Sequence, residues 1–151
     1  MTAVDPADTL FDTYVAALQH DLVDLPADTT LVGVVRRPTG WFQSTVDENH
    51  PALGPPPDLL DEVQRRREDL AQRGVCDEEA HNAAWTEASF DRRYRDHIDE
   101  SAEARAAVAD LLERLRSGER LALVCFENTE KKRCHRTLLR ERLAEHLRAD
   151  E

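Results

Sequence analysis

Lysine is almost missing from this chain: of 20 basic residues only Lys131 and Lys132 are lysines, and arginine supplies the rest. Basic charge is scarce altogether, since 31 acidic residues leave a formal net charge of −11. That balance excludes a general nucleic-acid binder, which needs a basic face to neutralise phosphates. An acidic, lysine-poor surface fits a salty cytoplasm in which charge repulsion is screened, and a GC-rich genome produces the same bias. No apolar run approaches membrane-spanning length, and Met-Thr-Ala-Val-Asp-Pro has neither a basic n-region nor an apolar h-region. A cytoplasmic address without a membrane partner is the expectation. Cysteine is also sparse: Cys76, Cys125 and Cys134 are odd in number and widely spaced, which is no secreted disulfide framework. The close Cys-x-x-Cys knuckle of zinc sites is absent, so neither a metal nor a cofactor is expected.

What is present is periodic apolar patterning over 151 residues, enough for one domain covering 1–151. Residues 1–8 read as a loose terminus. From Thr9, Leu10, Phe11, Tyr14, Val15, Leu18 and Leu22 follow helical spacing, with Thr9 and Asp12 in the positions of a capping box. Thr30–Val35 is β-branched and nearly all apolar, the pattern of an interior strand, and Arg36-Arg37-Pro38 lies at its carboxyl end. The stretch 39–57 holds Gly40, Pro51, Gly54 and Pro55-Pro56-Pro57, which predicts a long loop without regular structure. Helices are predicted over 58–73, 77–88, from about Phe90 past Ile98, and from Ser101, a good N-cap, to a stop at Gly118. Arg65-Arg66-Arg67 adjoins Glu68 and Asp69, which reads as a solvated, salt-bridged face. Leu121–Phe126 is a second buried strand, and 134–147 a final leucine-rich helix. Two strands buried on both faces, separated by helices, predict a helix-rich α/β fold with a small, mostly parallel sheet and helices on both faces. Neither an internal repeat nor a set oligomeric state is legible.

Chemistry concentrates between Cys125 and Arg136. The carboxyl end of a strand, a short polar loop and a helix N-terminus make a natural ligand pocket in a parallel sheet. Cys134 stands at that helix start among Arg133, His135 and Arg136, where the dipole and cations favour thiolate; the alternative is a small buried helix-starting residue with inert sulfur. Cys125 at the strand end is expected to be packed, unless it pairs with Cys134 on oxidation. His135 serves either as a general base or as packing beside the helix terminus. Glu127 either orients a ligand or neutralises Arg36 or Arg136. Arg36, Arg136 and 131–133 form a local basic cluster for phosphate, sulfate or carboxylate, with Arg37 beside it. A phosphatase loop is not present: counted from Cys125, Lys131 falls at the usual arginine position and no glycine intervenes. Trp41, Phe42 and Tyr94 either line a pocket for a ring-bearing ligand or belong to the core.

Leu-Val-Cys125-Phe-Glu127, a polar loop and Cys134-His135-Arg136 before a leucine-rich helix resemble the domain-of-unknown-function 488 family. Val34-Val35-Arg36-Arg37-Pro38 is similar to that family's Asp-Val-Arg segment, and Trp85, Phe90 and Tyr94 fall where it carries aromatics. Val34 stands in place of the family's aspartate, and no opening strand is evident ahead of the first helix. The resemblance implies an α/β domain with a polar pocket at the cysteine motif, without an established reaction. The residues themselves point to a small anionic, nucleotide-like ligand held by Arg36, Arg37, Cys125 and Arg136, with Cys134, Glu127 and His135 as reactive groups. The alternative is a non-enzymatic interaction or redox-regulatory protein in which the Cys-His-Arg motif is structural or forms a switchable disulfide.

Overall fold

The computed structural model describes residues 5–127 and 131–149. Its centre is a four-stranded parallel sheet: β1 (Leu10–Tyr14), β2 (Thr30–Gly33), β3 (Glu48–Asn49) and β4 (Leu121–Cys125), in the spatial order β1-β4-β2-β3. The two interior strands read from the sequence are indeed parallel neighbours, with Thr30 opposite Leu121 and Gly33 opposite Val124. All five residues of β4 are buried, so its continuous apolar run is the expected signature of a strand covered on both faces.

Eight helices among the described residues surround this sheet: α1 (Pro6–Thr9), α2 (Val15–Gln19), α3 (Gly40–Thr45), α4 (Pro57–Gln72), α5 (Asp77–Glu87), α6 (Phe90–Glu100), α7 (Ala102–Arg116) and α8 (His135–Ala149). The larger core joins Leu10, Val32, Leu121 and Leu123 to the inner faces of α4 to α8. A smaller cluster under α2 and α3 gathers Val15, Phe42, Val46, Val124 and both Cys125 and Cys134. Helices therefore cover both faces of the sheet. Ser101 caps α7 as expected, its hydroxyl accepting the Ala104 N–H at 3.3 Å. Gly118 follows that helix at φ +94°, a conformation that favours glycine. Arg66 and Arg67 pair with Glu62 and Asp77, the solvated salt-bridged face read from the arginine triplet.

Three expectations are corrected. The helix predicted from Thr9 to Leu22 is instead the end of α1, strand β1 and the short α2. Its helical spacing is outweighed by pairing with β4, from Leu10 opposite Leu121 to Tyr14 opposite Cys125. The opening strand that the sequence hid is thus present. Of the terminus expected to be loose, residues 6–8 belong to α1, with Asp5 accepting the Ala7 N–H at 2.9 Å, and residues 1–4 lie outside the described residues.

The predicted loop 39–57 is also largely ordered into α3, β3 and a 3-10 turn at Pro51–Leu53. Long-range side-chain bonds hold it. Tyr94 Oη donates to the Leu53 carbonyl at 2.6 Å, and His97 Nε2 lies 2.8 Å from the Ala52 carbonyl. The Asn49 side chain bridges Val35 N–H and C=O at 3.1 and 3.0 Å, extending the sheet by one amide.

Candidate functional site

The carboxyl ends of β2 and β4 open into a cavity of about 470 Å³, lined on its other side by α4 and α5. Six of the seven site residues expected from the sequence line it: Arg36, Arg37, Cys125, Glu127, Cys134 and His135. The seventh, Arg136, lies beneath the cavity, 2 % exposed. Residues 128–130 of the connecting loop lie outside the described residues.

Cys125 and Cys134 are free, buried thiols with Sγ atoms 2.7 Å apart. The Arg136 guanidinium is 3.4 Å from Cys125 Sγ and also donates to the Thr13 and Glu127 carbonyls. Its Nε sits 2.9 Å from Asp12 Oδ2. Burial opposes a charge on Cys125, but the Cys134 hydrogen bond, the Arg136 charge and the Glu127 backbone together lower its pKa below the ordinary thiol value. Cys134 is pushed well above that value, first by burial and then by donating to Cys125. Of the two readings of Cys134, this arrangement favours the buried helix-starting residue that keeps its proton. Helix start and flanking arginines favour its thiolate, but Cys134 donates its S–H to Cys125 and the Arg136 guanidinium is aimed at Cys125.

His135 is buried, and its Nε2–H donates to the Val34 carbonyl at 2.5 Å. Burial, opposed by that carbonyl and reinforced by Arg136, lowers its pKa to about 4. The ring is neutral near pH 7, leaving Nδ1 as an acceptor 3.6 Å from Cys134 Sγ. Val34, where the resembled family has aspartate, serves here through its backbone oxygen.

Arg36 holds the Pro55 and Gly54 carbonyls at 3.0 and 3.4 Å and approaches His97 Nε2 at 3.4 Å; among the described residues no carboxylate pairs with it. Arg37 is exposed and paired with Asp61 at 2.9 Å. The Glu127 carboxylate, expected to orient a ligand or to neutralise Arg36 or Arg136, lies 3.9 Å from Lys132 Nζ. Phe42 and Tyr94 are wholly buried in the core and Trp41 is exposed, so none of these three supplies the aromatic wall.

That wall is Trp85 and Phe90, stacked with centroids 3.6 Å apart, and Trp85 Nε1 is tied to Asp91 at 2.6 Å. Arg133, one of the basic cluster expected at 131–133, also lines the cavity, as do Arg67 and His81, which sequence reasoning passed over. His81 donates Nε2–H to the Arg133 carbonyl at 2.7 Å, and its buried Nδ1 has no partner among the described residues. Asn82 holds the Lys131 carbonyl and the Arg133 N–H, each at 3.0 Å, and Thr86 Oγ1 meets the Arg133 guanidinium at 3.3 Å. One face of α5 thus fixes the segment leading into Cys134. The only available signal was helical spacing, His81, Trp85 and then Ala88, which marks a buried face without saying that it borders a cavity.

A thiol pair between the end of β4 and the start of α8, beside a partly apolar cavity and a buried arginine, puts the candidate site of this α/β domain at the carboxyl ends of a parallel sheet, where such folds carry ligands. The chain belongs to the domain-of-unknown-function 488 family: residues 13–147 match the family model described as the active DUF488-N3 subclade. No curated protein and no solved structure gives a significant match. Among the described residues no helix is long and apolar enough to cross a membrane.

Proposed function

We propose that the cavity binds a small anionic ligand carrying a ring, and that Cys125, rather than Cys134, is the group that reacts with it. The observation that carries this reading is the placement of Cys125 on the cavity wall with the Arg136 guanidinium 3.4 Å from its sulfur. A thiolate at that position is both stabilised and within reach of a bound molecule. Arg36 and Arg133 supply positive charge for the anion, since among the described residues their hydrogen bonds go to neutral acceptors. Trp85 and Phe90 offer an apolar face for a planar group. A volume near 470 Å³ suits a nucleotide-sized molecule. The description of the matched subclade as active accords with chemistry at this place.

The test compares two alkylating probes of similar size, anionic iodoacetate and neutral iodoacetamide, at Cys125. An anion-selecting cavity raises the iodoacetate to iodoacetamide rate ratio above that of exposed Cys76, and Arg36→Gln with Arg133→Gln lowers it. Equal ratios at both cysteines in the wild type contradict the proposal.

A second reading, a scaffold in which Cys-His-Arg is structural, is favoured by one observation. His135 and Arg136 spend hydrogen bonds on the Val34 and Thr13 carbonyls, fastening α8 to β2 and β1. The scaffold reading predicts the same alkylation ratio at Cys125 as at Cys76.

A further inference from the structure

The two buried thiols have a chemistry that needs no bound anion. We propose that Cys125 and Cys134 form a dithiol–disulfide couple that reduces a hydroperoxide entering the cavity, with Cys125 as the attacking thiolate and Cys134 as the resolving thiol. Three observations assign these roles. The sulfurs are 2.7 Å apart while both side chains border the same cavity, so resolution requires no large movement of either chain segment. Arg136 is directed at Cys125 Sγ at 3.4 Å and stabilises negative charge on that sulfur. Cys134 keeps its proton between two acceptors, Cys125 Sγ at 2.7 Å and the neutral His135 Nδ1 at 3.6 Å.

The reaction balances in two steps. The Cys125 thiolate attacks the distal oxygen of R–O–OH; the O–O bond breaks, an S–O bond forms, and the alkoxide takes a proton from water to leave as R–OH. Cys125 is then a sulfenic acid, oxidised by two electrons. Cys134 sulfur attacks Cys125 sulfur, the S–O bond breaks, and the hydroxyl leaves as water with the Cys134 proton. The product is a Cys125–Cys134 disulfide, and an external dithiol returns it to two thiols by exchange. Cys76, exposed at the start of α5, has no part in the couple.

The first experiment uses the Cys76→Ser protein, in which the exposed thiol is removed and the buried pair is unchanged, treated with one equivalent of hydrogen peroxide at pH 7. Non-reducing peptide mapping is expected to show a Cys125–Cys134 linkage, removed by dithiothreitol. In the wild type the pair should oxidise about tenfold faster than Cys76, as a thiol with lowered pKa does beside an ordinary one. A folded Cys134→Ser protein should retain a dimedone-trappable sulfenic acid at Cys125. Absence of the linkage while Cys76 is oxidised in the wild type overturns the couple, and dimedone label on Cys134 in Cys125→Ser overturns the assignment of roles. A missing linkage with a preserved iodoacetate preference at Cys125 separates failure of this proposal from failure of anion binding.

Discussion

Arg136 and Asp12 form an ion pair, Nε to Oδ2 at 2.9 Å, that joins the start of α8 to the middle of β1. Asp12 also takes Arg140 at 3.0 Å through its other oxygen, so one carboxylate anchors two turns of the same helix. The arginine that stabilises Cys125 is held in position by the strand concealed in a helical pattern. Asp12→Ala should remove the ion pair between β1 and the buried Arg136 and cost about 3 kcal/mol, the lower part of the range for breaking a buried pair. Urea denaturation checks the loss, and alkylation of Cys125 should become about tenfold less selective over Cys76, since a mobile guanidinium stabilises thiolate less.

His135 makes stability depend on pH. Its folded pKa, about 4, lies below its ordinary value of 6.5. Between those values the unfolded chain takes up a proton that the folded chain refuses, so stability is full above about pH 6.5 and falls as pH drops toward 4. The loss is on the order of 3 kcal/mol for a group buried to this degree. Asp77, lowered to about 2 by Lys132 and then Arg67, loses its contribution only below its ordinary 3.8, outside this window. Urea midpoints at pH 7 and pH 5 should differ in the wild type and much less in His135→Gln. An equal drop in both proteins would assign the dependence to other groups.

Gly33 is required by close approach. A Cβ there would sit 2.5 Å from Asn49 Oδ1 and 2.7 Å from Phe42 Cε1, displacing both the amide bridge to Val35 and the ring beneath β2. Gly33→Ala should cost about 1–3 kcal/mol, the usual penalty of overpacking, read as a lower urea midpoint with an unchanged slope.

Asn82 fastens the 131–133 segment to α5. Replacing it with alanine removes two hydrogen bonds to the 131–133 backbone, worth about 1 kcal/mol each at most for exposed groups. Amide exchange at Lys132 and Arg133 should accelerate while the β4 amides keep their protection. Uniform acceleration through the sheet would show that the contact supports the whole fold.

How much of this was legible in the residues depends on where the determining contact lies. Leu121–Cys125 reads as a strand because burial on both faces writes itself into consecutive apolar residues. Pro57–Gln72 and Ala102–Arg116 read as helices because each buries one face. β1 was hidden since its polar members, Asp12 and Thr13, face partners more than a hundred residues away. The order in 39–57 was hidden for the same reason: Tyr94, His97 and Arg36 hold that backbone from other elements. At the site, the strand–loop–helix motif gathered the expected residues, but which of Cys125 and Cys134 donates to the other depends on where Arg136 points. That direction is a tertiary fact.

The central claim is that charge resides on Cys125. Its most direct measurement is the pH dependence of iodoacetamide alkylation at each cysteine in the native protein, followed by peptide mass spectrometry. The account predicts that Cys125 reacts first, with an apparent pKa below the free-thiol value of about 8.5, while Cys134 is unreactive until Cys125 is modified or the chain unfolds. Faster alkylation of Cys134, or inertness of both until denaturation, would contradict it.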